Sequence, residues 1–312
     1  MSDATFRTLG FQSQFIVAGR LEIKIGECRT HLFRAYWRVP NALLIKTKMK
    51  ITVIIACIIL SVPLAAQPAG NQGEIGLPPQ AAVVRGVLVP VPREIFRTLD
   101  QFADSNWRIV QRPELARWRP PGAQAQNALL LGAVIAEGFV AVEAKDTVET
   151  KNIGRAVLKL ARGLGVEKAA LRRSRSIIDH AESADWSGLR SEWNGVLPDL
   201  QQGMNELRSE EVAQLVSLGG WLRGTQALAG LISQTYSEKA AELLRQPAML
   251  DYFEKQLAEM NRDLRNDPVV VQMNQGIRRF RHALPPGGAP LSQKQVKEIA
   301  QVSGELLGNL TR

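Results

Sequence analysis

Residues 123–145 read AQAQNALLLGAVIAEGFVAVEAK, and the apolar side chains surround the helix axis instead of keeping to one stripe. A helix that is hydrophobic all round is buried on every side, in a protein core or in a bilayer. Glu137, Glu143 and Lys145 argue against the bilayer, where an ionised side chain is expensive. The stretch predicts the central buried helix of a bundle, with amphipathic helices packed around it.

The flanking sequence supplies such helices. Pro92 suits a first helical position, and Ile95, Phe96, Leu99, Phe102 and Ala103 recur at helical spacing to about Ser105. RPELARWRPPG, which holds Trp118, is a proline-bounded connector. Beyond the central helix, apolar residues at three- and four-residue spacing predict helices over about Thr150–Arg162 and Val166–Ala184. A further helix starts at Asp185 or Ser187, passes Leu189 and Trp193, breaks at Pro198 and resumes to Leu207. Ser209, with Glu210 and Glu211 in the next turn, opens a helix to about Thr235. Ser237 opens one to Gln246, and Pro247 starts or kinks another whose stripe is Leu250, Phe253, Leu257, Met260 and Leu264. Asp267-Pro268 begins the next, and Ser292 opens a C-terminal amphipathic helix within residues 290–312 carrying Val296, Ile299, Val302 and Leu306.

No stretch alternates with period two. Val83-Val84 and Val87-Leu88-Val89 form the one plausible strand, an extended segment packed on the domain. The expected fold is all-α, a multi-helix bundle or a short array of helical hairpins. A faint internal similarity, Leu131-Gly132 recurring 87 residues later as Leu218-Gly219, hints at a duplicated unit.

The chain divides at a leader. Lys46, Lys48 and Lys50 precede the apolar run Ile51–Leu60, followed by Pro63 and Ala65-Ala66. A basic start, a short apolar run and small residues at a break make a secretory signal peptide. The run is marginal for a bilayer core, which needs about 20 residues; an uncleaved N-terminal anchor is the competing reading. Cys57 is followed by more apolar residues, whereas a lipidated cysteine should end the run. Met49-Lys50 would be a normal start, so residues 1–48 are expected to be a mis-assigned upstream extension. The domain expectation is therefore 1–48 extension, 49–66 signal peptide, 67–91 flexible or extended linker and 92–312 a single all-α domain.

Charge divides at the same place. Of the chain's 39 basic and 30 acidic side chains, residues 1–66 hold 9 and 3, leaving 30 and 27. The basic balance belongs largely to the leader, and nucleic acid is not an expected partner. Both cysteines, Cys28 and Cys57, lie there too. Thiol chemistry and cysteine-ligated metals are thereby removed from the exported part, and no cofactor is expected.

The candidate site lies on the helix from Ser209, in SLGGWLRGTQALAG. Gly219, Gly220, Arg223, Ala227 and Gly230 share one stripe. Each interior glycine costs about 0.8–1 kcal/mol against alanine, so a compensating gain is needed. Close helix–helix approach is the plain explanation; the sharper one is a ligand-binding pocket at Gly220, Trp221, Arg223 and Glu137, in which the glycines leave room and Arg223 supplies a fork suited to carboxylate or phosphate. Glu137, on the central helix, aligns one residue from Arg223 in the faint repeat and is its natural ion-pair partner.

Other features are weaker. Arg172-Arg173-Ser174-Arg175 and Arg278-Arg279-Phe280-Arg281-His282 read as solvated helix faces, or else as contacts for an anionic envelope polymer or lipid headgroup. Asp179-His180 with Glu182 lacks a spaced second histidine, so no metal site is expected. Trp107, Trp118, Trp186, Trp193 and Trp221 could stack on sugars, with core packing as the default. No nucleophile elbow, phosphate loop, dinucleotide fingerprint or zinc-protease motif occurs. The expected function is a non-enzymatic interaction or scaffolding protein of the bacterial envelope, with an unknown protein or envelope partner. The alternative is a periplasmic small-molecule or lipid-binding protein using a glycine-lined cleft with Arg223 and Glu137, and an envelope-polymer hydrolase stands third.

Overall fold

A computed structural model of the chain describes residues 77–84, 86–117, 123–207 and 209–311. The leader, the upstream extension, most of the linker and Trp118 lie outside the described residues. β1 (Ala81–Val84) pairs with β2 (Val87–Pro90), antiparallel with Ala81 opposite Pro90 and Val84 opposite Val87. Helices follow as α1 (Pro92–Leu99), α2 (Glu114–Arg117), α3 (Gln124–Glu143), α4 (Thr147–Gly163), α5 (Glu167–Glu182) and α6 (Trp186–Glu206). The second half holds α7 (Glu210–Gln234), α8 (Glu238–Ala241), α9 (Pro247–Glu259), α10 (Arg262–Arg265), α11 (Pro268–Ala283) and α12 (Gln293–Leu310). The expected all-α bundle is the observed fold.

Glycine sets the centre of this bundle. A Cβ on Gly132 would stand 1.8 Å from the carbonyl oxygen of Val216, and one on Gly219 would stand 1.9 Å from that of Leu129. No real side chain tolerates such distances, so α3 and α7 meet backbone to backbone, as small-residue crossings allow. The two contacts exchange when the chain is shifted by 87 residues, Gly132 onto Gly219 and Leu129 onto Val216. The faint similarity thus marks a locally two-fold crossing of two helices running the same way. The wider connections do not repeat: α3 packs on the helix that follows it, α4, whereas α7 packs chiefly on the last helix, α12.

The first half is the expected run of hairpins. Asn127 of α3 lies by Gly163 of α4, and Gly188, Gly195 and Gly203 of α6 lie by His180, Arg173 and Ala169 of α5. Short connections between successive helices impose this antiparallel order. Asp146 caps α4 by accepting from the Glu149 amide at 3.0 Å, and Ser292 with Gln295 closes a capping box on α12.

Three local expectations change. α6 runs unbroken through Pro198: losing one backbone hydrogen bond and straining the turn costs about 3 kcal/mol. Burial of Trp193, Val196, Leu197, Leu200 and Met204 at about 1.5–3 kcal/mol each outweighs it. The stripe from Leu250 to Leu264 is split, because Met260 leaves the helical region at ψ 151° and Asn261 caps the short α10 instead. The extended segment expected at Val83–Val89 pairs with itself as a hairpin instead of lying as one strand: Val87 and Leu88 are core residues, and the hairpin's carbonyls are held by helices. Ser217 donates to Leu88 O at 2.5 Å, while Gln214 and Tyr252 both donate to Gly86 O at 2.8 Å. Gly86 sits at φ +82°, a turn conformation that glycine adopts without strain.

Candidate functional site: a closed ion pair beside an apolar slot

Arg223 and Glu137 meet each other and face no cleft. Arg223 Nε donates to Glu137 Oε2 at 2.7 Å, and neither side chain has any solvent exposure. The remaining atoms are matched in turn. Arg223 Nη2 donates to Val110 O at 2.6 Å, Nη1 donates to Gln226 Oε1 at 2.6 Å, and the Arg112 amide donates to Glu137 Oε1 at 2.7 Å. Burial pushes the Glu137 carboxyl up from its ordinary value, and the charge of Arg223 opposes that shift. Burial likewise lowers the Arg223 guanidinium, opposed by Glu137. An arginine stays protonated in proteins, and its charge favours the carboxylate form of Glu137 against the effect of burial. The pair ties the central crossing to the 107–112 segment and is sealed from solvent.

Gly220 and Trp221 point elsewhere. α7 presents Ser217, Gly220, Trp221, Gly224, Thr225 and Leu228, and α3 presents Gly132, Ile135, Ala136, Phe139 and Val140, to a common slot. These are successive three- and four-residue steps, one face of each helix. The hairpin, α1 and Trp107 form the opposite wall, and the turn at Leu243–Gln246 with Met249 closes one side. The cavity measures about 140 Å³, opens to the surface, and has no charged residue in its lining.

The slot is rigidly walled. Trp221 donates through Nε1 to Gln246 Oε1 at 2.8 Å and packs against Phe253 and Phe280 at 5.4 and 5.2 Å between ring centroids. Trp107 is buried and donates to Phe102 O at 3.1 Å. Gln80 donates to Thr98 Oγ1 at 2.6 Å, tying the hairpin to α1. Among the slot glycines, Gly132 belongs to the backbone crossing, Gly220 would place a Cβ 3.5 Å from Gly132 O, and a Cβ on Gly224 would meet nothing within 4 Å. Of the slot-lining residues on α7, the sequence singled out Gly220 and Trp221 but not Gly224 and Thr225. The signal was a glycine one residue from an arginine on a helix already recognised as glycine-rich.

The remaining candidates resolve into packing and surface pairs. Trp193 is buried and donates to Ile135 O at 3.0 Å, lying against Gly138. Arg173 bonds Asp199 at 2.8 Å and Glu192 at 3.1 Å. Arg281 reaches Asp251 at 2.7 Å and Glu254 at 2.8 Å, and Arg279 reaches Glu305 at 2.8 Å. The basic clusters are largely matched by carboxylates. His180 Nδ1 lies 2.9 Å from Asp185 Oδ2, and no group of three metal-ligating side chains occurs among the described residues. Glu149 is buried, with Oε2 accepting from Asn152 at 3.3 Å and Oε1 without a partner among the described residues. Burial raises its carboxyl above the ordinary value.

No protein-family model, curated protein or solved structure matches this chain.

Proposed function

We propose that this is a binding protein for a small, uncharged, apolar molecule, held in the slot between α3, α7 and the N-terminal hairpin. The observation that carries the reading is Gly224. A helix-interior glycine costs about 0.8–1 kcal/mol against alanine, and at Gly224 no neighbour needs the space, since a Cβ there meets nothing within 4 Å. What the missing side chain leaves is room in a cavity lined by apolar groups. Ligand sites are concave, mostly apolar and largely pre-formed, and the fixed rings of Trp107 and Trp221 supply such walls. A polar anchor at Arg223 and Glu137 is not part of this proposal, because the two are paired with each other and sealed from solvent. Export through the leader at residues 49–66 is carried into the proposal from the sequence, and places the ligand in the periplasm or outside the cell.

The test is thermal denaturation of the protein with and without saturating toluene. Binding to the native state alone raises stability by about 2.7 kcal/mol at a hundredfold excess over Kd. The expected result is a rise in Tm that Gly224→Phe, which fills the slot, abolishes. A Tm unmoved by toluene, or an equal rise in Gly224→Phe, overturns the reading and returns the surface-interaction alternative.

A further inference from the structure

The polar side chains of the slot are not equivalent. Thr98, 5% exposed, donates to Glu94 O at 2.9 Å, and Ser217, 1% exposed, donates to Leu88 O at 2.5 Å. Gln246 donates to Leu243 O at 2.8 Å while accepting from Trp221. Thr225 is 6% exposed and lines the slot, yet its hydroxyl makes no hydrogen bond among the described residues. Of the slot's polar side chains it is the one whose bonding capacity is not taken up among the described residues, which leaves it to pair with a molecule in the slot.

We propose, building on the binding function argued above, that Thr225 is the specificity-determining residue of the slot. It pairs with one hydroxyl or carbonyl on a neutral ligand whose apolar body is about the size of a single ring. Three observations fix that class. The volume of about 140 Å³ is close to that of an apolar cavity known to take benzene, about 150 Å³. The lining carries no charge, so an ionised group inside would lose its hydration without a partner. A threonine hydroxyl has one proton to donate and two lone pairs to accept with, which suits a phenol or alcohol in either sense. Along α7, Thr225 lies between Trp221 and Leu228 on the slot face, with Gly224 beside it adding no side chain.

The geometry therefore predicts a preference for phenol over toluene, created by one atom. Titration calorimetry of both compounds against the wild-type protein, Thr225→Val and Thr225→Ser tests this. Valine keeps the shape and removes the hydroxyl; serine keeps the hydroxyl. The expected result is phenol binding about three- to tenfold weaker in Thr225→Val, toluene binding unchanged or tighter, and phenol binding recovered in Thr225→Ser. Phenol and toluene responding alike to Thr225→Val, with toluene still bound by the wild type, overturns the role of Thr225 and leaves the slot intact. Failure of the wild type to bind either compound overturns both the slot and this inference. Tm values of the two variants, measured alongside, separate lost binding from lost folding: an unfolded Thr225→Val leaves the phenol-to-toluene ratio of Thr225→Ser as the deciding number, expected at the wild-type value and overturning the role of the hydroxyl if it falls to one.

Discussion

The α-carbon of Gly132 packs so closely on the backbone of Val216 that a methyl group there would stand 1.8 Å from the carbonyl oxygen. The relationship is unforgiving because the obstacle is main chain in the middle of a helix, which cannot rotate away. Gly132→Ala and Gly219→Ala must each push α3 and α7 apart. We expect each to cost about 3 kcal/mol, the upper part of the range for overpacking. Gly224→Ala meets no neighbour and should stabilise by about 0.8–1 kcal/mol. Urea denaturation of the three variants checks both signs on the same helix.

The Arg223–Glu137 pair should behave as a unit. Removing one partner leaves a buried charge uncompensated, so Arg223→Met or Glu137→Gln is expected to cost about 3–5 kcal/mol. The double variant Glu137→Leu with Arg223→Met removes both charges and should cost much less than the two single changes together. A double-mutant cycle by chemical denaturation measures the coupling, and an additive result would mean that the two side chains do not depend on each other.

Glu149 gives the stability of the protein a pH dependence of definite sign. Its carboxyl is raised in the folded state by burial, so folding favours the protonated form. The stabilisation is fully present below the unfolded value, ordinarily about 4.3, and is lost as pH rises through the folded value. Other carboxylates, among them Glu305 and Asp185, are lowered by hydrogen bonds and slope the other way. The informative quantity is therefore the difference between wild type and Glu149→Gln. The wild type should gain on the variant as pH falls from neutrality towards 4.5, and a difference that stays constant with pH would remove Glu149 as the cause.

The hairpin should open before the helices do. Its carbonyls at Gly86 and Leu88 are held from outside by Tyr252, Gln214, Ser217 and Gln201. Tyr252→Phe deletes one such bond, a loss of about 1 kcal/mol. Hydrogen exchange is expected to accelerate at the β1–β2 amides, with α3 and α7 unaffected. Uniform acceleration would place the hairpin in the same cooperative unit as the core.

Much of this was readable in the chain. The all-round apolarity of residues 123–145 identified the buried centre, and the small residues at 132 and 219 marked its crossing. A glutamate and an arginine on two apolar helices implied their pairing, because neither could be buried alone. The slot was not readable, since it is made by three segments far apart in sequence, and each contributes side chains that would equally suit a core. Pro198 misled because proline propensity is local, while the burial that keeps α6 helical comes from α3 and α5. Gly224 and Thr225 look like mere weaknesses in a helix until the space beside them is seen.

The crossing also leaves a spelling that outlasts general sequence similarity. Two backbones in contact and one sealed ion pair fix four letters: a glycine five residues before the glutamate on one helix, and a glycine four residues before the arginine on the other. Surface positions can drift without penalty, but each glycine resists any side chain and the two charged residues change only as a pair. A distant cousin of this protein should be recognisable by L-G-x-x-x-x-E and L-G-x-x-x-R on two parallel helices when nothing else in the two chains still agrees.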